Sequence, residues 1–428
     1  MITCHDIGRH LGCYGVETVQ TPHLDGLAGR GARFANYFAT DCVCSPSRGC
    51  ILTGRYPQAN GLMGLTHKPW NWRLGEGERH LAAVLKDAGY ATTLVGLQHV
   101  TQGDPHELGY EKVLSRKRVA EETVQAARRE LQNAEQGRRP FFMKVGFFEV
   151  HRPFKQGADT AKGVAIPHHL QDTPEIREDL AQFQATIRFF DQCVGRILEA
   201  LDAGKVARDT LVIFTADHGI PYPGAKWTLF DPGIETPLIM HQPGTKLVGG
   251  RVFGQLMSNV DFMPTLLDLV GVDKPDNLQG YSFRDVIEGA EIQSPRREVY
   301  AQRTSHALYD NLSRCVRTER YKLIRYFEPG RTVVYPTDAV PQKVAQHVQR
   351  PRRRSGQRPV VELYDLQADP HERKNLAQQP EHAATVRDLS DKLWAWMEQV
   401  GDPLLQGPLR TPYYEEAMQD YHQRFGKP

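Results

Sequence analysis

The run Thr210-Leu211-Val212-Ile213-Phe214-Thr215-Ala216-Asp217-His218-Gly219 decides the fold class of this chain. Its apolar centre is too short for a free-standing helix and apolar at successive positions, so it reads as a strand covered on both faces. Three more runs share that character: Thr92 to Gly96, Pro140 to Phe147 and Thr236 to Met240. Between them Leu81 to Ala88, Val119 to Gln136, Pro174 to Ala203 and Asp261 to Val270 place apolar residues at helical spacing. Strands alternating with helices predict an α/β domain with a large, mostly parallel sheet between helical layers. Ligands in such folds gather beyond the carboxyl ends of the strands. Asp6, His99, His151, Asp217 and His218 all follow directly on expected strands, where that rule puts a site.

Beyond about residue 290 the pattern changes. Arg297 to Arg303, Ser313 to Phe327, Thr332 to Tyr335 and Val360 to Leu366 are strand-like without long crossovers, and Ala383 to Val400 has helical spacing. These predict a small antiparallel sheet closed by a helix. The expected division is a catalytic domain over 1–290 and a C-terminal subdomain over 291–428, as the length of 428 residues makes natural.

Composition narrows the partners. The 53 Lys and Arg nearly cancel the 51 Asp and Glu, so no global field draws the chain to nucleic acid or to a membrane surface. Seven cysteines, odd in number and without metal-finger spacing, argue against a disulfide framework and for a reducing compartment. No apolar run is long enough for a membrane span, and the first residues do not form a signal peptide. The expectation is a soluble, cytoplasmic protein, with a true start upstream of Met1 kept open because Met1 to Cys4 leaves little room for a first strand. Oligomeric state is left open, a homodimer being one option. The basic run Arg350 to Arg358 reads as a solvated loop, with contact to an anionic sugar chain as the alternative.

The chemistry is concentrated in Cys44-Ser45-Pro46-Ser47-Arg48, continued by Gly49 to Arg55. This segment resembles the signature of the type I sulfatases of the alkaline phosphatase superfamily. The motif Glu362 to Leu366 with Asp369-Pro370 and Asn375-Leu376 is similar to the closing motif of that family's C-terminal subdomain. Within the family, the stretch from Cys44 to His67 and the segments Gly219 to Pro223 and Pro232 to Leu238 look most like the sulfamidase branch. The resemblance implies an alkaline phosphatase-like fold, a cysteine converted to formylglycine by a maturation enzyme, one divalent metal ion, and release of sulfate from an N-sulfoglucosamine-like or related sulfated sugar. Carried over position by position, Cys44 becomes the nucleophile, with Arg48 in reach of it one helical turn on. His99 is the base that expels sulfate, and His151 assists the leaving group. Lys226 holds the sulfate, while His5, Asp6, Cys44, Asp217 and His218 form the metal set.

Three positions depart from the family pattern. The family's paired aspartates are His5-Asp6 here, its Asp-Asn is Asp217-His218, and the lysine of its Gly-Lys-x-His is Leu97. Calcium, the metal the resemblance implies, prefers oxygen donors, whereas imidazole suits manganese or zinc. Loss of the lysine removes a charge-assisted contact, for which Arg9, His10 and Lys68 are candidate replacements. Two alternatives therefore stay open: a phosphonate monoester or phosphodiester hydrolase with the same nucleophile, and a non-catalytic sulfated-glycan-binding protein.

Overall fold

In the computed structural model, residues 1–290, 293–306, 309–328, 344 and 359–425 are described. Eight strands form the large sheet: β1 (Ile2–Cys4), β2 (Ala32–Phe38), β3 (Ala91–Gly96), β4 (Lys112–Leu114), β5 (Phe141–Gly146), β6 (Val212–Ala216), β7 (Leu238–His241) and β8 (Arg251–Ser258), in the order β4-β3-β5-β1-β6-β7-β2-β8. The sheet is mostly parallel, as the alternation of strands and helices requires. Only β7 runs against its neighbours β6 and β2. All four strands expected from apolar runs are present, and β6 shows why they read as they do. Val212, Phe214 and Ala216 enter one core while Ile213 enters the other, so consecutive positions are buried on opposite faces.

Two helical layers cover those faces. The long helix Pro174–Asp202 is started by Thr173, whose hydroxyl accepts from the Ile176 amide at 3.4 Å, and by Pro174 in its first turn. It packs Phe183, Ile187 and Phe190 into the same core as Val124 and Leu131 of the helix Ala120–Gln136. The opposite face holds Ile51 and Leu52 of the helix Cys44–Thr53, with Leu81, Val84 and Leu266. Each such fully buried side chain contributes about 1.5–3 kcal/mol. Together they fix which strand ends lie side by side.

The second sheet is antiparallel, in the order β12-β11-β10-β9, from β9 (Val299–His306), β10 (Tyr309–Arg317), β11 (Tyr321–Tyr326) and β12 (Val361–Asp365). The segment Ser313 to Phe327, expected as one strand-like stretch, is divided by a tight turn in which the Thr318 amide donates to Tyr321 O at 2.8 Å. The polar run Arg317-Thr318-Glu319-Arg320, which interrupts the apolar pattern there, was the signal for this division. The closing helix, Ala383–Gln399, packs Leu389, Leu393 and Trp396 on Val316, Leu323 and Leu363. The Trp396 ring also stacks on Tyr300 and meets Tyr56 edge-on, linking this subdomain to the segment after the Cys44 helix. Thr332 to Tyr335 and Arg350 to Arg358 lie outside the described residues. Among the described residues no helix is long and apolar enough to cross a membrane.

Candidate active site

Strand register builds the site. Cys4 pairs with Ala216 across β1 and β6, so His5-Asp6 and Asp217-His218 leave the sheet as neighbours. Gly96 pairs with Gly146 across β3 and β5, which brings the His99 loop beside the loop carrying Phe148 and His151. Four adjacent strands thus open at one edge. The β3 exit crosses close over β5, since a Cβ on Gly146 would lie 1.9 Å from the Leu97 carbonyl oxygen. Asp6 and His99 both take left-handed backbone conformations, φ +53° and +62°, a strain that side chains rarely accept outside functional loops.

The Cys44 helix is held against these strand ends. It begins at Cys44 itself, and all ten of its residues are buried. The Ser47 hydroxyl donates to the Asp217 carbonyl, and Asn259 Nδ2 donates to Ser47 Oγ at 3.0 Å and to Ser47 O at 3.2 Å. The cysteine therefore faces the carboxylates from a helix N-terminus, where the field favours an anion.

One side of the cage is ionic. Arg48 Nε donates to Asp217 Oδ2 at 3.1 Å and its Nη2 to the Cys4 carbonyl at 2.7 Å. The guanidinium fork is thus engaged by a carboxylate and a strand-end carbonyl, one turn along the helix from position 44. Asp217 Oδ1 accepts the amides of Asp6 and His218, both at 3.0 Å. Lys226 Nζ donates to both oxygens of Asp6, at 2.8 and 2.9 Å. Burial works to raise the Asp6 carboxyl, but Lys226, His151 and His218 outweigh it and hold it well below the usual carboxylate range. Asp217 is likewise kept ionised against burial by His218, Arg48 and His5.

The other side is imidazole. His5 Nδ1 lies 3.0 Å from Asp217 Oδ2, and the His5 ring centroid is 5.5 Å from those of both His99 and His151. Burial, then the nearby Arg48, depresses His5 to about 3, so it is neutral at ordinary pH. His99 is pushed down by burial and by His5, and stacks on His67 at 5.9 Å. His151 Nδ1 donates to the Arg152 carbonyl at 2.7 Å, so its Nε2 faces Asp6 Oδ2, 3.8 Å away. His218 Nδ1 donates to the Gly219 carbonyl at 3.0 Å, leaving Nε2 3.2 Å from Cys44 Sγ and 3.4 Å from Asp6 Oδ1. Burial holds the Cys44 thiol protonated far above its ordinary range, which makes the unmodified side chain a poor nucleophile.

These residues fit a divalent ion. Ligand atoms of His5, Asp6, Cys44 and Asp217 lie within 4.8 Å of one another, and those of His5, Cys44 and His99 form a second such group. His5 Nε2 and His99 Nδ1 are buried without a hydrogen-bond partner, as metal-facing nitrogens would be in a protein stripped of its ion. His218 stands beside the set through Asp6 and Cys44. His99, expected only as a base, is placed within ligating reach.

Of the candidate replacements for the missing lysine, Arg9 is taken by Glu235 at 2.7 Å, His10 is buried against Phe183, and Lys68 is exposed. Lys144 was not foreseen. It is buried on β5 and donates to the Leu97 carbonyl at 3.0 Å, pinning the turn that carries His99. Asn259 was also missed, although its place directly after β8 was a signal of the kind that identified Asp217.

Residues 3–272, well over half of the chain, match the family model described as Sulfatase. The chain belongs to the sulfatase family. Residues 224–355 of this sulfatase also match the model described as N-sulphoglucosamine sulphohydrolase, C-terminal. Human N-sulphoglucosamine sulphohydrolase is 29% identical, the alignment covering 95% of this chain and 91% of the relative. An ulvan-active sulfatase of Formosa agariphila is 28% identical over 94% of this chain and 80% of its own. The phosphonate monoester hydrolase of Agrobacterium radiobacter superposes with a TM-score of 0.72 at 21% identity, covering 93% and 95% of the two chains, which shows a shared fold alone. The protein is thus a hydrolase of sulfate esters or sulfamates on an alkaline phosphatase-like fold, in a family that implies a metal ion and formylglycine.

Proposed function

We propose that this sulfatase releases sulfate from an N-sulfated glucosamine or a closely related sulfated sugar, after a maturation enzyme has converted Cys44 to formylglycine. The observation that supports this reading most is the similarity to N-sulphoglucosamine sulphohydrolase along nearly the whole chain, joined to a separate match of the C-terminal model. Specificity in this architecture comes from loops and the C-terminal subdomain, so similarity there bears on substrate more than similarity of the core does.

The roles follow from the geometry. Formylglycine at position 44 would supply a hydrated aldehyde as nucleophile in place of the thiol. A divalent ion held by His5, Asp6 and Asp217, with the side chain at 44, would supply a Lewis acid for a sulfate oxygen. Arg48 keeps Asp217 ionised and fixed against the β1 exit. Lys226, on Asp6 in this arrangement, brings a cation to the place where sulfate charge must be neutralised. His151, with 29% of its side chain exposed, would pass a proton from Nε2 to the leaving group as the imidazolium, since Nδ1 already donates to the Arg152 carbonyl; Asp6 beside Nε2 favours that charged form against burial. His99, buried and neutral, is suited to accept one.

One imidazole, His5, joins the carboxylates of this set, with His99 and His218 beside it, so manganese and zinc are to be tested against the calcium that the family resemblance implies. These histidines also keep the phosphonate reading as an outcome of the test. Protein co-expressed with a formylglycine-generating enzyme is to be assayed with an aryl sulfate, N-sulfated glucosamine and a phosphonate monoester, supplied in turn with calcium, manganese and zinc. Sulfate release from the glucosamine supports the proposal, and turnover of the phosphonate alone sinks it. The mass of the peptide containing Cys44 reports conversion independently of activity.

A further inference from the structure

Half-buried His67, His99 and Phe148 stand around the cage between buried His5 and exposed Arg118. On one side the contacts run from His5 to His99 and from His99 to His67. On the other they run from His5 to Phe148, with ring centroids 5.9 Å apart, and from Phe148 to Arg118, whose guanidinium carbon lies 5.0 Å from the Phe148 ring centre. Arg118 joins the two sides, because its charge reaches His67 and adds to burial in lowering that imidazole. Phe148 also touches His151, 5.0 Å away, on the leaving-group side.

Charge bookkeeping singles Arg118 out. Around the cage, Arg48 is engaged by Asp217, Lys226 by Asp6, Arg152 by Asp179 and Arg9 by Glu235. Arg118 is exposed, has its guanidinium carbon over an aromatic ring, and among the described residues pairs with no carboxylate. A guanidinium pre-oriented in this way loses little rotamer freedom on binding and presents its fork to a planar or tetrahedral anion.

We propose that Arg118, on its Phe148 platform, is a specificity-determining residue that binds a second anionic group of the substrate, beside the sulfate being removed. The chemistry is that of a carboxylate or sulfate on the same or the adjoining sugar, with the apolar face of that sugar against Phe148. This rests on the sulfated-sugar reading above but assigns a contact that reading does not need.

The test measures binding to metal-loaded Cys44→Ala protein, which cannot turn substrate over, with and without Arg118→Ala. Three probes are titrated calorimetrically: N-sulfated glucosamine, glucosamine carrying N- and 6-O-sulfate, and a disaccharide of N-sulfated glucosamine with a uronic acid. Removing one charge-assisted contact should weaken an anion-bearing probe about tenfold and leave N-sulfated glucosamine within twofold. Arg118→Lys should recover only part of the loss. Dependence in the disulfated probe alone places the anion on the same sugar, and dependence in the disaccharide alone places it on the neighbour. Equal weakening of all three, no weakening, or no binding of any probe overturns the proposal. Turnover of the aryl sulfate and of N-sulfated glucosamine by wild-type and Arg118→Ala enzyme, run in parallel, shows separately whether the underlying function holds.

Discussion

This sulfatase buries two clusters of charge that look alike on paper and differ in what they leave unsatisfied. At the boundary with the small sheet, Asp231 meets Arg317 Nη2 at 3.1 Å and Lys322 at 2.5 Å, and Lys322 meets Glu372 at 2.8 Å. Two carboxylates face two cations, and the Asp231 amide donates to Glu372 as well. At the strand ends, two carboxylates again face two cations, Asp6 with Lys226 and Asp217 with Arg48. There, however, imidazole nitrogens of His5 and His99 are buried with no partner, beside a cysteine on a helix N-terminus. Buried charge alone therefore does not mark a site, because structural ion pairs perturb their members just as strongly. The unpartnered imidazole nitrogens make the distinction, and backbone strain does not, since Glu372 takes the same left-handed conformation as Asp6, φ +53°.

The sharpest way to break this comparison is to act on the cysteine. Cys44→Ala should abolish turnover, a loss of at least about a thousandfold, while shifting the melting temperature by only a few degrees. Retained activity would remove the strand-end cluster as the catalytic centre. Asp231→Asn should do the opposite: it breaks a buried pair and should cost about 3–5 kcal/mol in denaturant unfolding, with kcat per folded molecule near wild type. Lys226→Met should lower kcat/KM by about a hundredfold on any sulfate substrate with a smaller change in stability, since its charge is needed where the transition state gathers charge. If it instead behaves like Asp231→Asn, both clusters are structural.

A pH experiment supplies the smallest effect. Burial lowers His10 to about 4 and His80 to about 3, and neither is in the cage. Their folded pKa values lie below the unfolded one, so the unfolded chain binds more protons in that interval. Their contribution to stability is complete above about pH 6.5 and is lost as pH falls towards 4. His10 lies on the Phe183 ring with Nε2 unpartnered, so His10→Phe should flatten this acid limb by about 1–3 kcal/mol near pH 4 and leave unfolding at pH 8 little changed. An unchanged limb would place the acid sensitivity elsewhere.

The element pattern was legible where strands are apolar throughout, as in β3, β5, β6 and β7, and where helices keep one stripe, as over Pro174–Asp202. It failed for β2, whose Arg33 and Asn36 interrupt the apolar run, and for β8, an edge strand exposed over much of its first half. Edge strands face water and carry no two-sided hydrophobic signal. Likewise β1 has only three residues, yet it lies at the middle of the sheet between β5 and β6.

By itself the sequence determined the fold class, the family signature at Cys44, and the set of strand-end residues from which a site had to be drawn, because burial on two faces and motif spacing are local properties of the chain. Tertiary structure alone decided their pairing: that Arg48 holds Asp217, that Lys226 lies on Asp6, that Lys144 pins the His99 turn, and that Arg118 stands over Phe148. Those contacts join residues far apart in the chain, some by more than two hundred positions. They depend on which strands become neighbours and in what register, which hydrophobic packing of the whole domain settles and no local pattern encodes.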